Sequence, residues 1–471
     1  MSTRPTIVLY NPRSVFYTMP LGLAAVGSCV DRREVDVRII DGRLQADPVA
    51  AVLEAIEGAL LIGISVLTGD PIRDALCVSR AVKAKRPDLP VVWGGWHPSL
   101  FPAETLSEPS VDVTVQGQGE VTFAEVVRRL VAGEDLDGLC GIAFRSGSRV
   151  VVNPPRPLMP MDDLPAIDYE LLPVERYFQL KDRRQIDYVS SVGCHFRCAF
   201  CADPFVYARK WTALSPARMG DEIAALWEQH RFSELAFQDE TFFTHRERCA
   251  EIADELLRRG LTFDWTATLR ADQGVRLGDE GLALCVRSGL RRVLVGVESG
   301  SQQMLDWMQK DVTIEQVLET ADLCVRHHIA AIFPFIVGFP GESDESVGET
   351  IALIKLLRAM SPRFETPIFY FKPYPGSRIT EELVRQGYEL PATLDEWAQF
   401  DFIGSAAPWV SSEKYRLLER FKFYNRFAGG PETLRRWPLQ AVSRWRCRRD
   451  YYGLPLEQLL VERLYPSPRL S

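Results

Sequence analysis

The sequence predicts an α/β protein in three parts: a doubly wound parallel sheet, a partial barrel of six strand–helix units, and a helical C-terminal extension. Three observations predict it. Short apolar runs alternate with helical stretches over residues 1–153 and again from residue 185. The strands are apolar on both faces, as in sheets covered by helices on each side. A proline-rich stretch, Asn153-Pro154-Pro155-Arg156-Pro157 and on to Leu164-Pro165, separates the two series, so residues 154–184 read as a linker.

In the first series the expected strands are Thr6–Asn11, Val35–Asp41, Leu60–Val66, Val91–Gly94 and Val111–Val115. Periodic segments near Leu21–Val30, Pro48–Gly58 and Pro71–Lys85 supply the crossovers. A polar hairpin follows, Gly141–Arg145 to Val150–Asn153, turning at Ser146-Gly147. In the second series the strands fall at Ile186–Val192, Leu235–Gln238, Phe263–Thr268, Arg292–Val297, Ala331–Val337 and Thr366–Tyr370. Six units over residues 185–390 fall short of the eight that close a barrel, so a partial barrel is expected, with its chemistry at the C-terminal strand ends. Residues 391–471 form the extension.

A chain of 471 residues is long enough for two large cores, and its composition is that of an ordinary globular protein, 46% hydrophobic and 25% charged. A net charge of −8 gives no general reason to expect nucleic acid as a partner. Residues Met1–Pro5 run straight into an apolar strand with no signal-peptide pattern, and the apolar runs Ala59–Val66 and Ala330–Phe339 are too short to span a bilayer. A cytoplasmic protein is the expectation. One local exception to the charge balance is Leu434–Arg449, where Arg435, Arg436, Arg444, Arg446, Arg448 and Arg449 interleave with Trp437 and Trp445. Such a stretch suits an anionic lipid surface. The favoured reading is instead a helix packed by its tryptophans, interrupted at Pro438, with arginines pairing surface acids.

The chemistry is carried by cysteines. Seven of the ten are scattered, whereas Cys194, Cys198 and Cys201 crowd together directly after the first strand of the second series. In a reducing compartment such a cluster points to metal or catalysis before disulfides. A four-iron cluster normally takes four thiolates, so three leave one iron open to a reactant. Zinc would need a fourth ligand, and His195 is poorly placed beside Cys194 to supply it.

Cys194-x₃-Cys198-x-Phe200-Cys201 after the first strand of a partial barrel resembles the radical S-adenosylmethionine (SAM) superfamily. The resemblance implies a [4Fe–4S] cluster whose open iron is chelated by the methionine end of SAM, with reductive cleavage to a 5′-deoxyadenosyl radical. It also implies an external electron donor of the flavodoxin or ferredoxin type. By the same resemblance, Phe200 flanks the cofactor, and Asp239 and Glu240 at the second strand end meet the methionine amine. Arg270 at the third end could pair with the carboxylate, Glu298 at the fourth contacts the ribose, and Gly338 in Gly338-Phe339-Pro340-Gly341 sits beside the adenine.

The first series resembles the flavodoxin-like cobalamin-binding domain of methyl-transferring B12 proteins. Ser65-Val66-Leu67 with Thr68, then Gly94-Gly95, then Gly117, supply the small residues that let backbone approach a flat ligand. Gly22 and Ser65 are separated by 42 residues, and Leu67 and Gly94 by 26, as that family requires. The departure is Met19, which stands where the family's cobalt-ligating histidine would be, with Tyr17 in place of its aspartate. Cobalamin bound without histidine is the expectation. His97, in the Gly94-Gly95-Trp96-His97-Pro98 turn, is read as structural rather than as a substitute ligand.

Over residues 1–390, then, the chain resembles the B12-binding radical SAM family. The resemblance implies either methylation of an unactivated carbon of a small hydrophobic or polycyclic metabolite, which is preferred, or an oxidative cyclisation. A radical enzyme without a cobalamin role and a non-catalytic B12-binding sensor are the alternatives. The sensor has no need of an intact three-cysteine loop.

Overall fold

The computed structural model describes residues 4–15, 17–400, 408–429 and 437–464. The chain divides into two compact units, residues 1–242, 251–265 and 373–402 in the first, and 243–250, 266–372 and 403–471 in the second.

In the first unit, β1 (Thr6–Asn11), β2 (Asp36–Asp41), β3 (Ala59–Ser65), β4 (Val91–Gly94) and β5 (Val113–Val115) form a parallel sheet. The hairpin β6 (Ile142–Ser146) and β7 (Arg149–Val152) extends it antiparallel beyond β5, giving the order β2-β1-β3-β4-β5-β6-β7. The expected strands are thus present, three with starts displaced by one or two residues. The hairpin expected from sequence joins the sheet at the edge β5 would otherwise leave open. Chain direction across the sheet reverses between β1 and β3, the point where open α/β sheets bind ligands.

Helices Leu21–Ser28, Pro48–Ala55, Asp70–Lys85 and Glu120–Ala132 cover the two faces. One face buries Val8, Ile62, Ile64, Val91 and Trp93, the other Leu9, Leu61, Val92 and Phe123. Buried apolar area of this kind is the main favourable contribution to folding. Residues 154–184 are more than a bare connection. They include the helix Val174–Lys181, and buried Tyr169 donates its O–H to the Asp187 carbonyl at 2.6 Å.

The same unit carries the start of the second series. β8 (Gln185–Tyr188) pairs in parallel with β11 (Glu234–Phe237), while β9 (Ser191–Gly193) pairs antiparallel with β10 (Trp211–Ala213). The strand expected over Ile186–Val192 is therefore two. The break falls at Val189-Ser190, where the Ser190 N–H turns to the Asp239 carboxylate at 2.8 Å. In the second unit β12 (Asp264–Arg270), β13 (Leu290–Gly296), β14 (Ala330–Ile332) and β16 (Phe364–Glu365) run consecutively, with β15 (Phe335–Val337) paired in parallel to β17 (Ile368–Tyr370). The expected strand Ala331–Val337 is split around Pro334, and the expected Thr366–Tyr370 begins only at Ile368, past Pro367, with β16 a separate short strand before it; proline donates no ladder hydrogen bond.

The extension divides between the units. Trp397 is buried in the first, against His97 and Phe101, and Arg80 pairs with Asp395 at 2.7 Å. Phe421 and Tyr424 of the helix Ser412–Ala428 are core residues of the second, and Phe402, Arg435 and Arg436 lie outside the described residues. The tryptophans of the basic stretch do not pack its helix, Trp437–Arg449: Trp437 and Trp445 are 60% and 52% exposed. The anchor is Arg446, buried and bonded to the carbonyls of Tyr451, Gly453 and Leu454 and to Glu457. Pro438 sits in the first turn, where a missing N–H is harmless, so it does not interrupt the helix.

Candidate functional site

The cysteine loop is built by its neighbours. Buried Asp239, just past β11, accepts from the Ser190 N–H, the Ser190 O–H and the Ser191 O–H at 2.8, 2.6 and 2.5 Å. This fixes the chain entering β9. Gly193 then holds φ +84°, and a Cβ there would stand 2.3 Å from the Lys210 carbonyl oxygen, so only glycine fits before Cys194. The loop closes with the Cys201 N–H on the Cys198 carbonyl at 3.2 Å, and Arg209 donates to the His195 carbonyl at 3.3 Å. Cys194, Cys198 and Cys201 form no disulfide and are partly buried, with Phe200 half-buried in the same turn.

Burial pushes the Cys201 thiol up to about 12, and charge on Cys198 or Cys194 would raise it further. A cation at this loop would reverse that by favouring the thiolates. Among the described residues no group of three His, Cys, Asp or Glu side chains is arranged for a lone metal ion. Three thiolates on one loop, with no fourth protein ligand, do fit a cluster held by three corners.

Beside this loop a cavity of about 360 Å³ opens at the C-terminal edge of the N-terminal sheet. Gly22, Ser65, Gly94, Gly95 and Gly117 line it from the sheet side, and Val192 and Glu240 from the other. Gly95 is held at φ +94°, with a Cβ placed 3.0 Å from the Val66 backbone, whereas Gly22 and Gly117 have open space where a Cβ would stand. This is a cradle that larger side chains would fill, which fits a broad, flat cofactor. Met19 and Leu67 line a second cavity of about 220 Å³, shared with Ser65 and Gly22. Thr68 is turned inward instead, its Oγ1 3.2 Å from His97 Nδ1. His97 is fully buried and lines neither cavity, and burial lowers its pKa to about 4.

Glu240 is exposed and faces the first cavity, where desolvation by the surrounding protein, with the Asp203 and Asp239 carboxylates nearby, raises its carboxyl to about 8. Asp239, with three donors, acts as scaffold. In the second unit Arg270 donates to the Lys310 carbonyl at 2.7 Å, and Lys310 Nζ reaches Glu298 at 2.7 Å, so the third and fourth strand ends are tied through one lysine. Glu298 holds φ +71°, an unusual conformation for glutamate. Gly338, at φ +78°, donates its N–H to Glu342 at 2.5 Å and accepts from the Trp409 indole at 2.7 Å. A Cβ at Gly338 would come within 2.8 Å of Val410.

Sequence reasoning missed Lys310, whose distance from Glu298 along the chain carries no motif. It also missed Asp187, whose carboxylate meets the Met19 N–H at 2.7 Å. Arg218 and Glu222, paired at 2.8 Å, line the first cavity from a helix that carries no motif of its own.

A ligand edge on a doubly wound sheet, a three-cysteine loop and strand ends bearing acids and glycine define a two-cofactor α/β enzyme. The radical SAM superfamily model matches residues 188–354 and the B12 binding domain model matches residues 9–127. An uncharacterized methyltransferase of Pyrococcus horikoshii is 31% identical over 86% of this chain and 88% of its own length. An anaerobic magnesium-protoporphyrin IX monomethyl ester cyclase of Rubrivivax gelatinosus is 29% identical, covering 73% of this chain, which spans 61% of that enzyme. The cytidylyl-2-hydroxyethylphosphonate methyltransferase of Streptomyces wedmorensis is 24% identical over 82% of this chain and 83% of its own.

Among solved structures, the radical SAM methyltransferase TsrM of Kitasatospora setae, with cobalamin and a [4Fe-4S] cluster bound, matches with a TM-score of 0.72 at 16% identity, covering 94% of this chain and 89% of that one. OxsB, a cobalamin-dependent SAM radical enzyme, matches at 0.73 and 17% identity, covering 98% and 75%. At these identities the likeness is one of fold. The chain belongs to the cobalamin-dependent radical SAM methyltransferase family, and its cofactors are a [4Fe–4S] cluster, SAM and cobalamin. No described helix is long and apolar enough to cross a membrane.

Proposed function

We propose that the chain methylates an unactivated carbon of a small hydrophobic or polycyclic metabolite. The observation that carries this is the first cavity, where small residues of the N-terminal sheet edge and residues flanking the cysteine loop line one space within one compact unit. Two relatives with 24% and 29% identity are named for a hopanoid C-3 methylase and a protoporphyrin ester cyclase, both acting on polycyclic substrates, which supports that substrate class.

In this reading Cys194, Cys198 and Cys201 hold the cluster and Phe200 shields it. Glu240 takes the SAM ammonium as a carboxylate, with Asp239 bracing the strand that leads to the cysteines. Arg270 binds the carboxylate, Glu298 the ribose, and Gly338, flanked by Val410 and the Trp409 indole, lies beside the adenine. Ser65, Gly94, Gly95 and Gly117 cradle cobalamin, Met19 and Leu67 meet it from the adjoining cavity, and Thr68 supports their loop through His97. When bound, the cluster supplies the electron that cleaves SAM and cobalamin supplies the methyl group. An external flavodoxin- or ferredoxin-type protein supplies the electrons. The apolar cavity walls exclude water from the reacting groups.

Anaerobic purification with iron, sulfide and cobalamin supplied tests this, through iron and cobalt content and optical spectra. Four irons and one cobalt per chain are expected, with iron lost in Cys198→Ala. Iron without cobalt would remove methyl transfer and leave a radical enzyme with a repurposed N-terminal domain.

A further inference from the structure

The segment between β1 and the helix Leu21–Ser28 carries Met19, and one of its peptide units is gripped from both ends. Arg43, paired with Asp41 at 2.5 Å, donates to the Thr18 carbonyl at 2.7 Å. Asp187 Oδ2 accepts the Met19 N–H at 2.7 Å. That carbonyl and that N–H belong to the same peptide plane, so its orientation is fixed by two charged side chains from distant parts of the chain.

Asp187 is itself fully committed. The same Oδ2 takes Lys181 Nζ at 2.6 Å, and Oδ1 takes the Gln238 side-chain amide at 3.1 Å. Asp187 is 1% exposed, Met19 is 3% exposed, and the Lys181 side chain is 7% exposed. A buried ion pair such as Asp187–Lys181 is a poor source of net stability, since removing both charges from water offsets their attraction. The best-attested use of such a pair is to specify one geometry over another. Here the geometry specified is the direction in which the Met19 side chain leaves the backbone, toward the cavity it shares with Leu67 and Gly22.

We infer that Asp187 and Arg43 are positioning residues that lock the Thr18–Met19 peptide so that Met19 occupies the face of bound cobalamin where related domains present a ligand. The inference rests on the cobalamin reading above. A thioether there would be a weak, soft donor in place of imidazole and would give bound cobalt no strong lower ligand. The clamp makes this a property of the fold rather than of a loose loop, and it ties the barrel's first strand to the cobalamin domain's first loop.

The test replaces Met19→His in the full chain, loads cob(II)alamin anaerobically and records its electron paramagnetic resonance spectrum. The unaltered chain should show no nitrogen splitting from an axial ligand, and Met19→His should gain it. Adding Asp187→Ala should abolish the splitting, while adding Asp187→Asn, whose carboxamide oxygen still accepts the Met19 N–H, should retain it. If Asp187→Ala does not fold, Arg43→Gln removes the grip on the carbonyl side and should weaken the same splitting. Full splitting in Met19→His/Asp187→Ala, or none in Met19→His alone, overturns the clamp. An unaltered chain that binds no cobalamin overturns the reading beneath it instead.

Discussion

Replacing Gly193 by alanine should cost the protein its iron before it costs the fold. The new Cβ would stand 2.3 Å from the Lys210 carbonyl and 3.3 Å from the Tyr207 Cβ, on a residue held at φ +84°. Ordinary contact requires the β9–β10 pair to open by about 1 Å, and overpacking of this kind costs about 1–3 kcal/mol. The left-handed backbone adds about 1–2 kcal/mol for any residue with a Cβ. Gly58→Ala is the control, because Gly58 has φ +73° but nothing within 4 Å of its would-be Cβ. The two variants share the backbone penalty and differ by the clash, about 2 kcal/mol, or about 2–4 °C in melting temperature. Iron analysis after reconstitution reads the loop directly. Gly58→Ala should keep its iron, and Gly193→Ala should lose most of it, since Cys194 is the next residue. Equal melting temperatures and full iron in both would refute the account of the loop.

Three further outcomes follow from shifted or paired titratable groups. His97 titrates at about 4 when folded, well below the usual 6.5, so the unfolded chain binds the proton first as pH falls. Stability is therefore fully present above 6.5 and declines toward pH 4, by about 1.4 kcal/mol per unit at most; urea midpoints across that range should fall less steeply in His97→Gln. If Glu240, raised to about 8, takes the SAM ammonium as proposed, it must first release its proton. SAM affinity measured calorimetrically should therefore rise between pH 6 and 8, approaching about tenfold per unit, and Glu240→Gln should flatten that slope. Lys310→Met strands the 8% exposed Glu298 without its cation and should destabilise the protein by about 3–5 kcal/mol in denaturant unfolding. Adding Glu298→Gln should recover part of the loss, whereas strictly additive effects would sink the pairing argument.

Much of the architecture was legible because periodicity and breakers are local. β1 and β4 occupy the residues their apolar runs predict, and the cysteine loop follows the first barrel strand as its spacing implies. The splits at Val189-Ser190 and Pro334, and the late start after Pro367, were less visible. A proline in an apolar run signals a break, but whether the strand resumes depends on which partner lies alongside. The basic C-terminal stretch was misread for a related reason. Composition could not say that Arg446 would find three carbonyls and Glu457, leaving Trp437 and Trp445 outside.

By itself the sequence determined the order of elements, the family, and the three thiols and small residues that mark the cofactor sites, since each is written in neighbouring residues. Only the tertiary structure decided that Asp239 is scaffold while Glu240 faces the cavity, that Thr68 turns to His97, and that Asp187 holds Met19 across 168 positions of chain. The physical reason is that a buried polar group must find its partner wherever folding brings one, and sequence distance places no limit on where that is.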